Sequence, residues 1–111
     1  MNINQLRDEV HKNAVNHGFW EKERDFGMII ALIHSELSEA LEEYRNGHSP
    51  KEIYYNYRSG YNKPEGIPIE LADVIIRVLD YCGKENIDIE NAINIKHQYN
   101  KSRPYKHNKK V

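Results

Sequence analysis

Four carboxylates are the residues of this chain most able to do chemistry. Glu36 and Glu39 stand three apart in ELSE, and Glu70 and Asp73 stand three apart in ELAD. On a helix that spacing puts both members of a pair on one flank, and Glu43 extends the first pair by another turn. Acids so placed repel by a few tenths of a kcal/mol, so they are either a solvated acidic face or a ligand set. Two such pairs on neighbouring helices would offer a cation nothing but carboxylate oxygens. That donor set suits a hard ion such as Mg²⁺, with Mn²⁺ as the alternative.

A line of opposite charge lies near the other end of the chain. Lys96, Asn100 and Arg103 follow i, i+4, i+7 spacing, on the same helical face as Ile89, Ala92, Ile93 and Tyr99. A Lys within an apolar stripe either snorkels to water or meets an anion. An ammonium, an amide and a guanidinium in one line suit a chain of phosphates. Carboxylates that hold a metal and cations that hold phosphates together describe phosphoryl or nucleotidyl chemistry. Trp20 is then a candidate to stack a base, against the alternative of a core Trp.

Four helices must position these groups. The first spans about residues 4–17, with Leu6, Val10, Ala14 and His17 on one face, and Gly18 ends it. The second spans about 25–46, with a stripe from Phe26 to Tyr44 and Gly47 as its stop. The third starts at Pro68 and ends near Gly83. Apolar residues cover roughly two-thirds of its circumference, leaving one polar stripe of Glu70, Asp73, Arg77 and Asp80. Asp88 caps the fourth, which stops near Arg103 because Pro104 cannot continue it. Residues 47–66, rich in Gly, Pro, Asn and Tyr, form a long connection with one helical turn expected near Pro50 to Tyr54. No strand is expected. The fold class is all-α, a four-helix bundle in one domain over residues 1–111, with a basic tail at about 104–111.

The chain has 111 residues, 39% of them hydrophobic and 30% charged, the makeup of a single globular domain. No apolar run approaches the roughly 20 residues of a membrane span, and the N-terminus lacks the pattern of a signal peptide. Cys82 is the single cysteine and sits in an apolar stretch. Together these point to a cytoplasmic protein without membrane partners. The net charge of −1 hides an asymmetry, since six of the sixteen Lys and Arg lie from Lys96 onward with no acid among them. The body is acidic and the tail basic.

At these residues the sequence resembles the MazG-like family of all-α nucleoside triphosphate pyrophosphohydrolases. The likeness rests on HGFW at His17–Trp20, LIHSELSEALEEYR at Leu32–Arg45, GIPIELADVIIRVLDYC at Gly66–Cys82 and the closing KHQYNKSRPYKHNKK. The resemblance implies Mg²⁺ ligands at Glu36, Glu39, Glu70 and Asp73, and phosphate contacts from Lys96, Asn100 and Arg103. It implies a base contact from Trp20, and a homodimer or homotetramer with sites near the interface. The activity implied is hydrolysis of (deoxy)nucleoside triphosphates to monophosphate and pyrophosphate, with Glu39 favoured as general base. The gap between the acidic motifs is longer than the family's pattern, and Asn108 stands where related sequences often carry Gly. A di-iron carboxylate bundle needs Glu-x-x-His pairs, and no Glu here has a His three residues on. The remaining alternative is a non-enzymatic helical module with an acidic metal site and a basic tail for nucleic acid. The alignment of the cations with an apolar face argues against nucleic acid as partner.

Overall fold

Three of the four α-helices open on a side-chain cap. The computed structural model describes residues 2–58 and 60–104, and α1 spans Ile3–Asn16. Asn2 accepts from the Gln5 backbone N–H while the Gln5 side chain accepts from the Asn2 N–H, a reciprocal box that satisfies two otherwise orphaned donors. Gly18, at φ 84°, turns the chain into a single 3₁₀ turn, Phe19–Glu21. Asp25 then caps α2, Phe26–Arg45, by accepting from Met28 N–H. After the connection come α3, Ile67–Lys84, and α4, Ile89–Ser102, the latter capped by Asp88 accepting from Asn91 N–H.

The connection is not the irregular segment expected from its composition. It holds a two-stranded antiparallel hairpin, β1 Tyr54–Asn56 and β2 Lys63–Glu65, with Tyr55 opposite Pro64. Where a helical turn was expected, Tyr54 lies in β1. Paired strands suit adjacent tyrosines, and Pro64 is tolerated because a two-stranded ribbon has only edges. Tyr54 fastens the hairpin to the end of α2: its O–H donates to both carboxylate oxygens of Glu43 at 2.8 Å. That bond pushes the Tyr54 hydroxyl up to about 12. His48 stacks on Tyr54, with ring centroids 4.6 Å apart, and sets a nitrogen 3.2 Å from Glu52. β2 runs straight into α3 through Gly66, whose φ is 126° and where an added β-carbon would run into the Glu52 carbonyl. Any side chain there would collide with backbone.

α3 is the central helix, flanked by α1 on one side and α2 on the other. Ile29, Ala40, Leu79 and Cys82 are its buried apolar core. Gly83 lets α1 approach closely, since a β-carbon there would meet His11. α4 does not complete a bundle within the chain. Its first turn is tied to the start of α1, where the Glu90 carboxylate accepts from the N–H groups of Ile3 and Asn4. Asn4 also donates to Asp88, and Arg7 to the Ile87 carbonyl. Beyond that turn α4 is exposed, so Ile93 and Tyr99, expected to face inward, are 44% and 55% accessible. On α3, Leu71, Ile75 and Ile76 are also exposed. The radius of gyration is 16.8 Å, against roughly 13 Å for a compact domain of this length. Among the described residues the chain is mostly helical, with one small sheet, and apolar residues of α3 and α4 are exposed.

Candidate metal centre

The α2–α3 contact brings the two acidic motifs together. Oxygens of Glu36, Glu70 and Asp73 lie within 4.8 Å of one another, close to the span of about 4.2–5 Å across an oxygen-coordinated Mg²⁺ or Ca²⁺. Glu36 is buried, and Arg77 holds it by donating Nε–H to Oε1 at 2.9 Å. Glu70 has a buried oxygen, Oε2, with no hydrogen-bond partner. Burial pushes the Glu70 carboxyl up to about 7, aided by a hydrogen bond with Glu39 and by the charges of Glu39, Asp73 and Glu36. Burial also raises Asp73, against the opposing pull of Arg77. The cause is general: several carboxylates in one half-dry site cannot all ionise unless something positive joins them. A proton on Glu70 relieves the cluster, and a divalent cation would relieve it further.

Glu39 is exposed and reaches the cluster through Glu70. Glu43, on the same flank by sequence, is turned to Tyr54 and His48 instead. A cleft of about 490 Å³ opens beside the cluster between α1 and α3, and Glu36, Asp73 and Arg77 form part of its wall. Asp80 also lines it, is 7% accessible, and accepts on Oδ1 from Trp20 Nε1–H at 2.9 Å. The same oxygen is 2.8 Å from His11 Nδ1.

No family model, curated protein or solved structure matches the chain. The geometry therefore stands on its own. It gathers a Glu/Glu/Asp cluster that could hold a metal ion, with Glu39 beside it. It does not bring Lys96, Asn100 and Arg103 to that cluster within one chain. Lys96 and Arg103 instead flank Tyr99, their charged groups 4.9 and 5.4 Å from the ring centroid. Trp20 bridges to Asp80, with its ring edge-on to Phe19 and 5.2 Å from the Lys84 ammonium. Phe19, not Trp20, lines the cleft beside the cluster. The basic residues from Lys106 on, and Asn108, lie outside the described residues. Among the described residues, no helix is long and apolar enough to cross a membrane.

Arg77 and Asp80 were visible in sequence only as the rest of the polar stripe on α3. Their partners, Glu36 on α2 and His11 with Trp20 from the other flank, are 41 to 69 residues away. His11 carried no signal beyond its place on α1.

Proposed function

We propose that this chain is a Mg²⁺-dependent nucleoside triphosphate pyrophosphohydrolase of the MazG-like type, cleaving its substrate to the monophosphate and pyrophosphate. The observation that carries the reading is the partnerless buried oxygen of Glu70 within an all-oxygen cluster of three acids. Such an atom fits a cation and is costly without one. Glu36, Glu70 and Asp73 would hold the ion, with Glu39 at its edge. When bound there, Mg²⁺ supplies polarisation of the α-phosphate and a water of lowered pKa. Glu39, the exposed member, would serve as general base. Arg77 would keep Glu36 oriented through its Nε–H hydrogen bond. Lys96, Asn100 and Arg103 would bind the phosphates and offset their charge.

Lys96, Asn100 and Arg103 would reach an acidic cluster from a second chain. The exposed apolar residues of α3 and α4 support a homodimer, or a dimer of dimers, in which α4 covers a partner. Sedimentation at low micromolar protein tests this, and an active species of 13 kDa would rule it out. The exposed cationic face of α4 also supports a second reading, a non-enzymatic module that grips nucleic acid. A steep fall of DNA affinity with salt, without triphosphate turnover, would favour that module. The experiment that decides is a panel of nucleoside triphosphates with Mg²⁺, scored for pyrophosphate release.

A further inference from the structure

We propose that His48 is a proton-operated latch at the base of the β1–β2 hairpin, fastened in mildly acidic solution and released in mildly alkaline solution. The end of α2 builds its setting. Gly47, at φ 87°, reverses the chain, so that its own N–H donates to the Tyr44 carbonyl and that of His48 to the Glu43 carbonyl. The reversal sets the imidazole beside the Glu43 carboxylate, with Nε2 3.5 Å from Oε2. In the next turn one Glu52 oxygen accepts from Ser49 N–H, and the other lies 3.2 Å from His48 Nδ1. Tyr54 of β1 covers a face of the ring, 16° from parallel. The imidazole is thus held between α2, the connection and the first strand, and the His48 and Glu43 side chains are only 27% and 15% accessible.

An imidazolium carries an N–H on both ring nitrogens and a neutral imidazole on one, so loss of the proton turns a lone pair toward one of the two carboxylates. Histidine is the side chain whose charge ordinarily changes between pH 5 and 8. The Tyr54 hydroxyl, pushed up to about 12 by Glu43, stays a donor across that range. The other charges at the base are Glu65 of β2, whose field reaches Tyr54, and Lys63, 3.8 Å from Glu65. Among the described residues no Lys or Arg is paired with Glu43 or Glu52, so the imidazolium is the cation these two carboxylates share. By linkage, its charge pairs favour the fastened base while the ring is protonated and are lost as pH rises through its titration. The base also touches the acidic cluster's helix. The Glu52 carbonyl lies where a β-carbon on Gly66 would collide, just before α3, and the charge of Lys63 pulls the Asp73 carboxyl down. Release of the hairpin therefore alters the field at the cluster.

NMR of the full chain in EDTA, at one protein concentration and between pH 5.5 and 8, tests the latch. Protection factors of the β1 amides, corrected for the intrinsic pH dependence of exchange, should fall about threefold, in step with titration of the His48 ring signals. His48→Phe keeps an aromatic ring against Tyr54 without the proton and should give a flat profile. Glu52→Gln, which retains the oxygen facing Ser49, should shrink the step, and it decides the matter if His48→Phe does not fold. Glu70→Gln removes the titrating proton of the acidic cluster and should leave the step in place. A flat wild-type profile, a step that survives His48→Phe or is unchanged in Glu52→Gln, or a step that vanishes in Glu70→Gln would overturn the inference. None of these readouts depends on triphosphate turnover, so the latch and the hydrolase reading stand or fall separately.

Discussion

Replacing Glu70 with Gln removes the titrating proton from the acidic cluster while keeping shape and volume. In the folded chain the Glu70 carboxyl is raised from 4.5 to about 7, burial being the main cause. The folded state therefore binds a proton more tightly than the unfolded state. Stability from this group is full below about pH 4.5 and is lost as pH rises through about 7. At about 1.4 kcal/mol per pKa unit the shift has an upper bound of about 3.4 kcal/mol, and partial solvent access lowers it to roughly 2 kcal/mol. Without divalent cations, E70Q should thus match the wild type near pH 4.5 and exceed it by roughly 2 kcal/mol at pH 8. That is a rise in Tm of about 5–15 °C for a domain of this size. The assay is thermal or urea unfolding from pH 4.5 to 8 in EDTA, at one fixed protein concentration because an oligomer's stability depends on it. Millimolar Mg²⁺ should reverse the order, stabilising the wild type by mass action and E70Q little. Parallel pH profiles for the two proteins in EDTA would refute the account of a proton held by cluster repulsion and burial.

Three further substitutions probe the rest of the site and its frame. Asp73→Ala should abolish turnover while the protein stays folded, since an acid relieved of repulsion seldom costs stability; activity and circular dichroism on one preparation check both. Lys96→Ala and Arg103→Ala should each weaken triphosphate binding about tenfold or more while leaving nucleoside binding alone, measured by calorimetry. Tyr54→Phe should lower Tm and remove the phenol raised by Glu43, visible as loss of the absorbance step near pH 12.

The helices were legible because their signals are local. Asp88 caps α4 where the sequence places a cap, and apolar stripes at helical spacing mark α2 and α3. The spacing of ELSE and ELAD also showed which acids share a flank, and the α2–α3 packing joins Glu36 to Glu70 and Asp73. The hairpin was missed because three-residue strands give almost no periodicity and Pro64 speaks against one. The Glu36–Arg77 and Asp80–His11–Trp20 contacts depend on how helices cross, which no spacing rule encodes; the close approach of α1 at Gly83 is one part of that geometry. α4 is the instructive miss. Its stripe of Ile93 and Tyr99 reads in sequence as an inward face, yet among the described residues both are exposed, because helical spacing marks an apolar face without saying what covers it.

The central claim is cleavage between the α- and β-phosphates by a metal held on Glu36, Glu70 and Asp73. Incubating the purified protein with a mixture of ribo- and deoxyribonucleoside triphosphates, with Mg²⁺ or with EDTA, and following ³¹P NMR tests it directly. The account predicts monophosphate and pyrophosphate in equal amounts with Mg²⁺, no orthophosphate, and no turnover in EDTA. Diphosphate with orthophosphate, undiminished turnover in EDTA, or no turnover of any triphosphate would contradict it.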